Sequence, residues 1–143
     1  MEHLIDYHRE LLADFREEAA VSDLPLEDVA FERLCSILET EGELEAADRC
    51  AWRGTSGGKT LRIDGHGGDP RESESVLSVV ACEVHQDDDP VTLNAADMKK
   101  IFGHLINFVA ASRRREFRDT LHLETPEFGT ATMISEAWPS IAK

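Results

Sequence analysis

The chain has 143 residues, an apolar fraction of 41% and a formal net charge of −14. Those values suit one α+β-sized globular domain and exclude a globally disordered chain. They also weigh against a nucleic-acid-binding surface, because that chemistry relies on Lys and Arg neutralising phosphates.

Residues 2–20 form the first predicted helix. Leu4, Ile5, Leu11, Leu12, Phe15 and Ala19 recur at helical spacing, and Glu10, Asp14, Glu17 and Glu18 occupy the other face. Ser22-Asp23 offers a cap and Pro25 suits a first helical turn, so a second helix is expected over 24–41, stopped by Gly42. This front third is the acidic part: residues 1–48 carry fifteen acids and three bases. A linker over 43–48 leads to a first strand around Cys50-Ala51-Trp52-Arg53. The glycines at 54, 57 and 58 supply a turn, and 59–66 reads as a second strand. A loop over 67–74 follows. Residues 75–85 give the clearest strand pattern: Leu77, Val79 and Ala81 point one way, Val76, Val80, Cys82 and Val84 the other. Apolar residues on both sides mark a central strand of an antiparallel meander.

After Gln86 to Pro90, Asn94 is placed to cap a third helix, with Asp97 completing a capping box. That helix carries Met98, Ile101, Phe102, Leu105, Phe108 and Val109, and then turns basic at Arg113-Arg114-Arg115 and Arg118. The arginines read first as a solvated or dipole-complementing helix end, and second as a contact for phosphate or an acidic partner. The tail is expected to hold a strand or loop at 128–131 and a short element from Ser135, leaving Ile134, Trp138 and Ile141 without a role. Trp52 also lacks an assigned role. The three cysteines, Cys35, Cys50 and Cys82, form no CxxC; Cys35 and Cys82 read as small buried hydrophobes. The acidic start does not resemble a signal peptide, and no apolar run nears membrane-spanning length. A cytoplasmic location without membrane contact is therefore expected.

One constellation carries possible chemistry: Glu32, Asp64, Glu83 and His85. Glu83 and His85 lie two apart and leave one face of a strand, and a simple hairpin register brings Asp64 toward Glu83. A helix across that face brings Glu32 near. Hard cations such as Mg²⁺ take carboxylate oxygens, and a metal so held activates water and stabilises charge on a phosphoryl group. Each residue also has a plainer role: Glu32 a solvated acid, Asp64-Gly65 a turn, Glu83 an exposed strand end, His85 a rim side chain. A carboxylate at the depth of Leu77, Val79 and Ala81 must be paired or metal-bound. The glycines near Lys59 lack the spacing of a phosphate loop. His66 and His85 lack a third zinc ligand of sensible spacing, and Cys35 has no base partner.

The order of these segments is informative. An acidic helix pair ends in Ile37-Leu38-Glu39-Thr40-Glu41-Gly42-Glu43-Leu44-Glu45. Leu61-Arg62-Ile63-Asp64-Gly65-His66, then Leu77 to His85, then a long helix from Asn94 follow. The pattern resembles the amino-terminal region of the AIPR family, the abortive-infection phage-resistance proteins, over roughly residues 5–130. The resemblance implies that residues 1–143 form one α+β domain at the front of a larger protein. It also implies helices packed on a small central mixed or antiparallel sheet of restriction-endonuclease-like type. It would make Asp64, Glu83 and Glu32 metal ligands for Mg²⁺, with His85 standing where a lysine is expected and Lys59 as its substitute. Histidine acts as a base but supplies no permanent ammonium. Two functions follow as expectations. The first is a nuclease-like but non-catalytic association domain of a phage-defence protein, forming a dimer or other homo-oligomer, or contacting other domains of the same protein. The second is a Mg²⁺-dependent endonuclease domain.

Overall fold

The computed structural model describes residues 2–72, 76–87 and 89–141. Two long helices, α1 (Glu2–Ser22) and α2 (Leu26–Thr40), lead into strands β1 (Ala47–Ser56), β2 (Lys59–Gly67) and β3 (Ser78–Val80). Helices α3 (Ala95–Ser112), α4 (Arg115–Asp119) and α5 (Pro126–Ile141) complete the chain. The result is an α+β fold with one sheet of order β1-β2-β3, antiparallel throughout. No helix among the described residues is long and apolar enough to cross a membrane.

Helix α1 ends where Asp23 takes a positive φ of 57°, a conformation that Asp tolerates better than most residues. The expected Ser22-Asp23 cap does not form. Pro25 takes the N-cap position of α2, and the Ser22 hydroxyl donates back to the Glu18 carbonyl. Phe15 of α1 packs against Val29 and Ala30 of α2, sealing the helix pair. The β1–β2 hairpin turns through Gly57 and Gly58, whose φ values of 59° and 75° match the primed turn that suits strand twist. On α3 the capping box is present: the Asn94 side chain accepts from the Asp97 N–H, and Asp97 accepts from the Asn94 N–H.

Other expectations are corrected as well. The run 75–85 yields a strand only over Ser78–Val80, and it lies at the sheet edge; β2 is the central strand. Ser75 is outside the described residues. The apolar pattern reports burial fully on one face and only in part on the other, where Val76 is 67% exposed. Leu77, Val79 and Ala81 pack on the main core, while Val84 packs on the α1–α2 cluster. The tail is neither strand nor loop at 128–131 but part of α5, and Ile134 is fully buried. Trp52 and Trp138 both have core roles. Trp52 meets Phe108 and Phe117 at centroid distances of 5.8 and 5.5 Å, and Trp138 packs against the same cluster. That cluster joins Leu61 and Ile63 of β2 to Leu105 and Phe108 of α3 and to Ile134 of α5.

Asp64-Gly65 is not a turn. Both residues lie inside β2, and Gly65 lets α2 approach: a Cβ there would sit 2.1 Å from the Phe31 ring and 2.7 Å from the Asp48 carbonyl oxygen. Gly65→Ala is therefore expected to destabilise the domain by about 2 kcal/mol in urea unfolding, the usual cost of overpacking. Trimming the ring with Phe31→Leu in the same chain should recover part of that loss. Strictly additive effects would show that the two positions do not collide.

Candidate functional site

Arg62 and Asp64 stand two residues apart on β2, so they share a face. Asp64 is 1% exposed, and a carboxylate at that depth must be compensated. Its Oδ2 accepts from Arg62 Nε at 3.0 Å and from the Cys82 backbone N–H at 2.9 Å. Its Oδ1 lies 3.4 Å from both Arg49 and Arg53, which reach over from β1. The Arg62 guanidinium continues outward, donating through Nη1 to Glu83 and through Nη2 to the Cys82 carbonyl at 3.0 Å. Arg49 lies over the Phe31 ring and donates from Nε to Asp28 of α2 at 2.9 Å. Burial opposes the charge on Arg62, but its bonds to Glu83 and Asp64 outweigh this and raise its pKa. The guanidinium stays cationic at any working pH.

The structure thus brings Asp64, Glu83 and His85 together. His85 Nε2 is 3.6 Å from Glu83 Oε2, a distance too long for a hydrogen bond, and that nitrogen is buried with no hydrogen-bond partner among the described residues. Glu32 is not part of this cluster. It is exposed on α2, beside a cavity of about 450 Å³ between α2 and the start of β1. Lys59 is exposed at the hairpin tip, five residues along β2 from Asp64. That spacing puts it on the other face and roughly 16 Å away. The cation between the two acids is Arg62, and among the described residues no group of three or more His, Cys, Asp or Glu side chains is arranged to hold a metal. As arranged, both oxygens of Asp64 already serve arginines or a backbone N–H. Sequence reasoning weighed the acids but passed over Arg62 and Arg49. The signal was present: an arginine two residues before the acid on one strand face.

A second polar cluster lies behind β1. His66 Nδ1 is 3.1 Å from the Thr130 hydroxyl and 3.7 Å from Cys50 Sγ, beside a cavity of about 390 Å³. Burial lowers the His66 pKa and pushes the Cys50 thiol from 9.0 up to about 11. The pair rests as neutral thiol and imidazole, the opposite of an activated cysteine.

The arginine patch is committed to structure. Arg113 lies over the Trp138 ring at 4.2 Å, Arg114 donates to the Ser56 hydroxyl, and Arg115 pairs with Asp119. Arg118 donates to the Ser112 carbonyl and the Ser135 hydroxyl. Arg118 thereby ties α3 to α5, while Arg113, Arg114 and Arg115 remain exposed.

A family model described as "Abortive infection phage resistance protein N-terminal domain" matches residues 31–143. No curated protein and no solved structure matches the chain.

Two outcomes follow from these clusters. Asp64→Asn keeps the shape but removes the charge facing Arg62, so it should cost about 3 kcal/mol in urea unfolding. Glu83→Gln, with its side chain 31% exposed, should cost about 1 kcal/mol or less. Equal costs would mean that Asp64 is not the anchor. The second outcome concerns pH. The folded Cys50 thiol holds its proton beyond the unfolded value, so its contribution is complete below pH 9.0 and declines as pH rises toward about 11. That decline should amount to roughly 2 to 3 kcal/mol. Alkaline unfolding curves of Cys50→Ala should fall less steeply than those of the parent; identical slopes would remove the thiol as their cause.

Proposed function

The chain belongs to the abortive infection phage resistance family, over the stretch described as that family's N-terminal domain, and on this premise we propose that it is a non-catalytic association domain of a phage-defence protein. One observation carries the reading. The guanidinium of Arg62 occupies the place between Asp64 and Glu83 that a catalytic cation would need. A cation that cannot be deprotonated repels Mg²⁺ and satisfies the oxygens that would ligate it. The wider charge agrees, because a surface of −14 gives phosphodiesters little to bind. In this reading Asp64 and Glu83 act as scaffold, and function lies in the protein surfaces the scaffold holds. Other domains or subunits of a cytoplasmic defence protein are the partners proposed for those surfaces.

A Mg²⁺-dependent endonuclease is the second reading, and it has one observation in its favour. Asp64, Glu83 and His85 converge on a single centre, as two ligands and a base would. For that chemistry Arg62 would have to leave, with Glu32 or Lys59 brought in by movement of α2 or the hairpin.

Thermal unfolding separates the two. Millimolar Mg²⁺ or Mn²⁺ should change the melting temperature by no more than about 1 °C, since a cation that does not bind the native state does not stabilise it. Single- and double-stranded DNA and RNA should remain intact after prolonged incubation with either ion. A metal-dependent rise in melting temperature or a cleavage activity, either one lost in Asp64→Asn, would replace the association reading with the nuclease.

A further inference from the structure

Among the described residues β3 is bonded to β2 alone, and its residues border a groove of about 400 Å³. Four consecutive residues, Ser78 to Ala81, line that groove. Side chains alternate between faces along extended chain, so a consecutive run forms a wall only when the backbone edge itself faces the space. The opposite wall is α3. Of the α3 residues that line it, Leu105 is buried, yet Met98 and Phe102 are 45% and 53% exposed. These two stand four residues apart and make a second apolar stripe on one helix. An unpaired strand edge beside an exposed apolar stripe is the geometry that accepts an added strand.

Charge identifies the occupant. Among the described residues lining the groove, the charged ones are Glu43 and Glu83, both acidic, and Glu83 is already shared with Arg62. Glu41 and Glu45 flank Glu43 and are exposed as well, so this wall is acidic, whereas the exposed Lys99 and Lys100 follow Met98 on the α3 wall. We propose that this groove takes an extended segment of a partner protein in which apolar side chains alternate with lysine or arginine. The segment adds to β3 as a fourth strand through main-chain hydrogen bonds. Its apolar side chains lie on Met98 and Phe102, and its basic ones meet the acids at 41–45. A second copy of this chain fits less well, because each copy would bring the same acids to the shared edge. The inference rests on the association reading of the domain and gives that reading a surface and a partner chemistry.

Fluorescence anisotropy with three labelled synthetic peptides tests it on the intact chain. One peptide alternates valine with lysine, one valine with glutamate, and the third is the valine–lysine peptide N-methylated at alternate residues. The first should bind at least about tenfold more tightly than the other two. The N-methylated peptide has the same charge, so it separates strand pairing from plain attraction to an acidic protein. Phe102→Ala and Glu43→Lys change exposed side chains, and each should weaken the first peptide about tenfold with the melting temperature preserved. Equal binding of all three peptides, no binding, or a dimer of the chain dispersed by Phe102→Ala would overturn the proposal. Nucleic-acid cleavage alongside normal peptide binding would sink the non-catalytic reading and leave the groove intact. Absent binding without cleavage would sink the groove alone.

Discussion

The buried carboxylate of Asp64 is the constraint around which the rest of the domain is arranged. At 1% exposure it cannot keep its charge without donors, and the donors come from several separate parts of the chain. Arg62 is on β2 itself, Arg49 and Arg53 are on β1, and the Cys82 N–H belongs to the segment after β3. Through Arg49 the network extends to Asp28 on α2. One ionised group thereby ties the helix pair, the hairpin and the outgoing chain into a single unit. The same bonds account for the brevity of β3. Beyond Val80, the Cys82 N–H is taken by Asp64 and its carbonyl by Arg62, so the backbone groups that would extend a strand ladder are already occupied by side chains.

The uneven charge along the chain fits this arrangement. Arg9, Arg16 and His8 of α1 reach the segment after β3. Arg16 donates to the Gln86 carbonyl, His8 bonds the Asp87 carbonyl, and Arg9 pairs with Asp89. Most acids of the helix pair are left facing solvent. The arginines after α3 are similarly used within the fold, stacked on Trp138 or bonded to Ser56, Ser112 and Ser135. A basic run in a sequence therefore says little about phosphate binding until its internal partners are known. Here Arg113 and Arg118 brace the end of α3 against α5.

The parts legible in the sequence are those whose signal is local. Helices α1, α2 and α3 follow from apolar periodicity, and the Asn94 capping box from two residues three apart. The hairpin follows from its paired glycines. The run 75–85 was misleading because alternation reports burial on two sides, and that burial arises here without strand pairing at Cys82 to His85. Helix α5 was missed because Thr130, Thr132 and Ile134 favour extended chain locally, and packing against β1 and α3 overrides that preference. A start signal was nevertheless there. Thr125 caps the helix by accepting from the Phe128 N–H, and Pro126 is its first residue. At the site, strand register points Asp64 toward Glu83, but Glu83 lies outside β3 and the two acids are linked through Arg62. The identity of that cation was not legible, since it depends on which long side chain folds inward. Only tertiary placement shows that Arg62 does so.

Arg62 is the cation that Asp64 and Glu83 share. Anomalous diffraction from crystals grown in Mn²⁺ tests this assignment most directly. The expected map has no anomalous peak between the two carboxylates and shows a guanidinium in bonding contact with both. A manganese peak at that position, with Arg62 turned away to solvent, would contradict it.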